Sequence, residues 1–195
     1  MIGAQKDLTP DAALKYLMDG NERFATDQIA ALGKSLNILR QHTVEKQEPF
    51  ASVLSCADSR VPVELVFDQT IGHLFVVRVA GNFTTPEIIA SLEYGAAVLG
   101  TKVILVLGHS SCGAVTATLQ GDPVPGQISC LFSHIQPAVK KANGDIETAV
   151  RENARIQAHL LADSSPVLAG MVRDGKLKIV SGYYDLATGR VSLLD

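Results

Sequence analysis

Two short stretches carry the groups able to do chemistry, Ser55-Cys56-Ala57-Asp58-Ser59-Arg60 and Gly108-His109-Ser110-Ser111-Cys112-Gly113. Together they offer two thiols, an imidazole, a carboxylate and a guanidinium. Zinc takes four tetrahedral ligands from Cys, His and sometimes Asp; three protein ligands leave a corner for water at a catalytic site, and four close a structural one. The spacing His109-x-x-Cys112 lets two side chains converge on one point, and Cys56 can supply a third donor from a separate stretch. That gives a Cys₂His set with one position open. The alternative use of Cys56 and Cys112 is as small buried hydrophobes, which leaves Asp58 and Arg60 unexplained beside a core position.

Asp58 and Arg60 stand two apart, so in an extended segment they project to the same side and should form a bidentate, charge-assisted pair. Such a pair can simply stabilise a fold. Beside a metal it has a sharper use. Two thiolates offset most of the charge of Zn²⁺, so a water bound there gives up its proton less readily than at an all-imidazole site. A carboxylate held ionised by Arg60 can accept a hydrogen bond from that water and orient it. It can also turn onto the metal and displace the water.

Other chemistries fail on spacing. Cys56 to Arg60 is too short for the C-x5-R phosphate cradle of cysteine phosphatases, and Cys112 stands where a G-x-S-x-G nucleophile elbow requires glycine. Gly-rich nucleotide loops are absent. His42, His73, His134 and His159 lack metal-ligand spacing and read as surface or satisfied core, with Cys130 as inert filler.

The elements that must position the two stretches are short apolar runs. Phe50–Leu54 feeds the first and Val103–Leu107 the second, and Leu74–Val79 makes a further run ending at Ala80-Gly81-Asn82. Runs of this kind read as strands buried on both faces of a parallel sheet, whose sites collect beyond the carboxyl ends where strand order reverses. Thr9-Pro10-Asp11 opens a first helix, in which Gly20 is a weak point; it packs on its own sheet or on a partner. Further helices are predicted at 37–46, 61–67, 85–99, 113–119, 129–142, 146–162 and 166–175. A hairpin over 177–184 and 190–194, turning at 186–189, closes the chain. The sum is one α/β domain over residues 1–195, a central mostly parallel β-sheet flanked by helices, with an N-terminal helical arm and a C-terminal β-hairpin. Residues 1–48 form the arm and lead-in, and 49–195 the zinc-binding core.

With 195 residues the chain fills one hydrophobic core and gives no reason for two. Hydrophobic residues at 47% against 19% charged exclude disorder. A net charge of −3 without a basic run gives no footprint for nucleic acid or an anionic membrane. No apolar stretch reaches the roughly 18 residues of a membrane span. Three cysteines are poor material for a disulfide framework. Met1–Asp7 has no basic start followed by an apolar segment, so cytoplasm is the expected compartment, with a processed export signal left open.

Cys56-Ala57-Asp58-Ser59-Arg60-Val61-Pro62, then Phe75-Val76-Val77-Arg78-Val79-Ala80-Gly81-Asn82, then Gly108-His109-Ser110-Ser111-Cys112-Gly113-Ala114-Val115 resemble, in order and separation, the motifs of the β-class carbonic anhydrases. The resemblance extends from about Phe24 to the end. It implies reversible hydration of CO₂ to bicarbonate and a proton, with one Zn²⁺ per chain held by Cys56, His109 and Cys112. Asp58 and Arg60 match the catalytic dyad, which orients a zinc-bound hydroxide; Asp58 becomes the fourth ligand only in a closed form. Gln47, Phe75 and Tyr94 match residues lining a narrow CO₂ pocket, parts of which come from the neighbouring subunit. Gly113 matches a position whose backbone lies beside the substrate. Ala80 stands where some members carry valine, which leaves the pocket width open.

Some members also have a second bicarbonate site, built on a tryptophan, an arginine and a tyrosine. Val53 stands at the tryptophan position and the chain has no tryptophan, although Arg78 matches the arginine. An open-site enzyme without that regulatory site is therefore expected. The resemblance also implies a homo-oligomer, a dimer or a multiple of dimers, with the first helix reaching onto the partner. Two other functions use the same residues: hydrolysis of CS₂ or COS on this scaffold, or a non-catalytic zinc- or bicarbonate-binding module with Asp58 locked on the metal.

Overall fold

Strands β1 (Ala51–Ser55), β2 (Leu74–Arg78), β3 (Val103–His109), β4 (Lys178–Tyr184) and β5 (Val191–Leu194) form one sheet in the order β2-β1-β3-β4-β5. The computed structural model describes residues 8–31 and 44–194. The first four strands pair in parallel and β5 runs antiparallel to β4, which is the expected hairpin. From β1 the chain crosses to β2 on one side, then returns past β1 to β3 on the other, so strand order reverses at β1. Ser55 lies level with Leu107 in the β1–β3 ladder. Every residue of β1 and β3 is buried, including the polar Ser52, Ser55 and His109, as expected of strands covered on both faces of the sheet.

Helices α1 (Pro10–Ala25) and α2 (Val63–Val66) cover one face, where Ala13, Leu14, Leu17, Val63 and Val66 pack with Ala51, Val53, Leu105 and Leu107. The other face carries α3 (Pro86–Glu93), α4 (Gly113–Gln120), α5 (Phe132–Lys141), α6 (Ile146–Ser164) and α7 (Pro166–Arg173). There Leu92, Val115, Ile135, Val150 and Ala154 pack with Leu54, Ile104 and Val106. Gly108, near the end of β3, touches α6 directly: a Cβ there would stand 2.9 Å from Val150 Cγ1 and 3.2 Å from the Val150 carbonyl oxygen.

The structure refines several sequence expectations. β3 runs two residues past Leu107, so His109 is the last residue of the strand. The helix predicted over 85–99 changes pitch, with α3 continuing as a π turn over Tyr94–Val98. The helix predicted over 129–142 begins as a 3₁₀ turn at Ile128–Leu131 before α5. Most of the helix predicted over 37–46 lies outside the described residues, and 44–46 are not helical.

Within the chain, α1 packs on its own sheet. Thr9 caps it by accepting a hydrogen bond from the Ala12 amide at 3.2 Å. Asn21 is buried and saturated: its Nδ2 donates to the carbonyls of Val66 (3.1 Å) and Gly189 (2.9 Å), and its Oδ1 accepts from the Val191 amide at 2.7 Å. Gly20 is no weak point but the place where helix and chain touch, because a Cβ there would stand 1.9 Å from the Phe67 carbonyl oxygen. Asp68 receives the Arg23 Nε at 2.6 Å and the amides of Ala30 (3.0 Å) and Ala31 (2.7 Å). Burial opposes its ionisation, yet Arg23 and the two amides outweigh that and hold the carboxyl below the usual range.

Two expectations follow for stability. Helix propensity alone would make Gly20→Ala stabilising by about 1 kcal/mol. The overlap with Phe67 outweighs it, so urea denaturation should show a net loss of about 2 kcal/mol; a stabilised variant would mean the contact is not rigid. A carboxylate with a depressed folded-state pKa contributes stability above its unfolded pKa of about 3.9 and loses it as pH falls through the folded value. Asp68→Asn should therefore flatten the acid limb of a stability-against-pH curve while lowering the plateau at neutral pH.

Candidate metal centre

The parallel β1–β3 ladder delivers two groups to one place. Cys56 follows the last residue of β1, and His109 closes β3. The chain then turns through Ser111, whose φ of 55° puts a non-glycine residue in the left-handed region, and enters α4 with Cys112 as its N-cap residue. The ligand atoms of Cys56, His109 and Cys112 lie within 4.8 Å of one another, and all three residues are buried. Both cysteines are free thiols, with sulfurs 4.0 Å apart. Two zinc–sulfur bonds of about 2.3 Å at a tetrahedral angle set their sulfurs about 3.8 Å apart, so the spacing suits a shared ion.

His109 is the most telling member of the cluster. Its Nδ1 lies 2.9 Å from the Ser110 carbonyl oxygen, which can only accept, so Nδ1 carries the hydrogen and Nε2 the lone pair. That Nε2 is fully buried and has no hydrogen-bond partner among the described residues. An orphaned acceptor aimed at two thiols, its tautomer fixed from behind by a carbonyl, is the usual posture of a metal-ligating histidine.

The sulfurs are electrostatically unequal. The Cys112 S–H holds the Cys56 thiol well below its ordinary range; burial works against this, while His109 and the amides of Gly81 and Asp58 add to it. The same pairing, with burial, pushes the Cys112 thiol up. A divalent cation bound to both sulfurs would release the protons they carry.

Asp58 and Arg60 meet as expected in partner but not in conformation. They sit in a turn closed by the Val61 amide donating to the Asp58 carbonyl at 3.1 Å, not in an extended segment. Arg60 donates from Nε to Oδ1 (3.0 Å), from Nη2 to Oδ2 (2.7 Å) and from its backbone amide to Oδ1 (2.9 Å). These bonds hold the Asp58 carboxyl far below the usual range despite partial burial, so it is ionised and can only accept. Its Oδ2 lies 3.8 Å from His109 Nε2, and Arg60 Nη2 also reaches the Ser111 carbonyl at 3.2 Å. Sequence reasoning did not anticipate the use of Arg78, whose fork donates to the carbonyls of Cys56 (2.9 Å) and Asp58 (2.6 Å) and so fixes the path between thiol and carboxylate.

The pocket candidates separate into groups. Gly113 adjoins Cys112 and is exposed at the start of α4, while Ala80 is half-buried and precedes Gly81, whose amide reaches Cys56 Sγ. Phe75 on the edge strand β2 and Tyr94 at the π turn meet with ring centroids 6.3 Å apart, and Tyr94 is half exposed. Gln47 is exposed on the lead-in to β1 and joins neither group by a hydrogen bond among the described residues. His73 is half-buried; His134 is exposed and stacks on Phe83; His159 is exposed; and His42 lies outside the described residues. Cys130, expected as filler, is exposed and donates to Gln127 Oε1 at 3.3 Å, because its segment is a surface 3₁₀ turn rather than the core face of a helix.

Comparison with known proteins points the same way as this geometry. The carbonic anhydrase family model matches residues 51–191. Carbonic anhydrase 2 of Mycobacterium tuberculosis is 36% identical over 194 residues, spanning 95% of this chain and 93% of that protein. Among solved structures, the β-carbonic anhydrase CcaA superposes with a TM-score of 0.75 at 26% identity, covering 93% of this chain and 87% of that one. The Coccomyxa β-carbonic anhydrase in complex with acetazolamide gives 0.73 at 27% identity, covering 93% and 86%. With motif order, sheet topology and the Cys–His–Cys cluster all in agreement, the chain belongs to the β-class carbonic anhydrase family.

Proposed function

We propose that this chain catalyses the reversible hydration of CO₂ to bicarbonate and a proton, using one zinc ion held by Cys56, His109 and Cys112. The observation that carries the reading is the buried, unpartnered His109 Nε2, turned toward two thiols and 3.8 Å from a carboxylate that Arg60 keeps engaged. Soft sulfur with imidazole nitrogen in a closed triangle is a donor set that zinc prefers. When bound, zinc supplies the positive charge that lets a water ionise near neutral pH.

The protein groups do the rest. Asp58, ionised and unable to donate, accepts the hydrogen of the attacking water and so fixes the direction of its lone pair. Arg60 holds both carboxylate oxygens, which favours this orienting role over rotation of Asp58 onto the metal. Phe75, Ala80 and Tyr94 offer apolar walls for a small linear substrate. Gly113 leaves room at the mouth of α4, where no atom lies within 4 Å of an added Cβ. Gln47 is the polar group that would orient the substrate oxygen. Because Gln47 and Tyr94 are exposed in the single chain, a second copy is the natural completion of this pocket, and the working assembly is a homodimer or a multiple of dimers. No described helix is long and apolar enough to cross a membrane, and we assign the protein to the cytoplasm. Residues 1–48 act as the arm and lead-in to a catalytic core over 49–195.

Stopped-flow CO₂ hydration on zinc-loaded protein tests the whole reading, which fails if no rate above buffer is seen at any pH. Cys56→Ser should lose bound zinc, measured by atomic emission, together with activity. Asp58→Asn should keep its zinc and lose about 10²-fold in kcat. Zinc lost in that variant would instead make Asp58 a ligand.

A further inference from the structure

We infer that Asn153 is a positioning residue for the metal centre: by gripping Gly81 it directs the Gly81 N–H onto the Cys56 sulfur and limits the charge that sulfur gives to zinc. This rests on the zinc site proposed above and concerns a residue far from it in sequence. Asn153 is fully buried on α6, and its Nδ2 donates to the Gly81 carbonyl at 2.9 Å. On the other side of the same residue, the Gly81 amide donates to Cys56 Sγ at 3.3 Å.

The grip is built, not incidental. One turn along α6, the buried Gln157 accepts from the Thr84 amide (2.9 Å) and hydroxyl (2.8 Å) through Oε1. Its Nε2 donates to the His134 carbonyl at 3.2 Å. Two side chains of α6 therefore clamp both ends of the segment from Gly81 to Thr84. Gly81 itself has no freedom to change: its φ is +87°, and a Cβ there would stand 2.6 Å from Ile135 Cδ1. Backbone, helix and neighbour all fix the direction of one N–H.

That direction matters because of the charge on the ligands. A Cys₂His set with two thiolates leaves zinc nearly neutral, which weakens its hold on a water's electrons. An N–H donated to a ligating sulfur draws density back from it and restores part of the metal's acidity. Partners behind the ligands commonly change metal affinity or activity by 10- to 100-fold when removed.

The test uses the full-length protein with cobalt(II) or zinc alone as probe. Asn153→Asp keeps the shape and loses the donor; Asn153→Ala removes the group altogether. Thr84→Val is the control, since it cuts the same buried network without touching Gly81. Folding is checked by circular dichroism. In the folded Asn153 variants, the sulfur-to-cobalt charge-transfer band should move to longer wavelength, because the sulfur then gives up charge more readily. The Thr84→Val band should stay in place even if its Tm drops. An unmoved band in a folded Asn153 variant would overturn the inference, as would an equal shift in Thr84→Val. Failure of the wild type to take up either metal would overturn the zinc reading itself.

Discussion

The pairing of β1 with β3 is the constraint on which the site depends. Parallel strands end on the same side of a sheet, so the thiol that leaves β1 and the imidazole that closes β3 emerge together. Each residue of register is worth about 3.3 Å along a strand, and a slip of one would also turn every side chain to the opposite face. Complete burial of both strands penalises such a slip, because it would force the apolar runs to repack. The three ligand atoms fall within 4.8 Å only in the register that sets Ser55 beside Leu107. Packing energy spread over the core thus specifies a distance at its edge.

Around that edge, the problem to be solved is negative charge in a poorly solvated place. A thiol held toward its ionised form and a carboxylate stand close together, and each is supplied with donors. Cys56 receives the Gly81 amide, and the Asp58 carboxylate receives three hydrogen bonds from Arg60. Arg78 bonds to no charged atom among the described residues, but its fork on two carbonyls keeps the thiol and the carboxylate in fixed relation. Cation, thiolate and carboxylate form one balanced set, so altering any member changes the working condition of the others.

Much of this could be read from the residue string, and the reasons for the rest are physical. Cys56, His109 and Cys112 were legible because ligand chemistry and strand-end placement both show in local sequence. The Asp58–Arg60 pair was legible by residue type, but its geometry was not. An i, i+2 spacing fits both an extended segment and a turn, and only the tertiary setting, including the Arg78 fork, selects the turn. Gly20 looked like a flaw in a helix, since its purpose is a contact with Phe67, a residue 47 positions further on. The π turn at Tyr94 left no periodic trace. Asn153 and Gln157 read as ordinary polar positions on an amphipathic helix, and nothing local announces that both are buried against the segment following β2.

The close seat of α6 on Gly108 has a mechanical consequence. With no side chain on Gly108, only the short side chains of Val150 and Ala154 stand between the helix and the end of β3, which leaves little soft material to absorb relative movement. The same helix reaches the Cys56 side through Asn153, so two of the three candidate ligands are braced by one helix of 19 residues. Rocking of that helix would disturb both together rather than loosen one donor at a time. Escape of the ion would then be a concerted event, timed by the loosening of a helix rather than by stepwise ligand exchange.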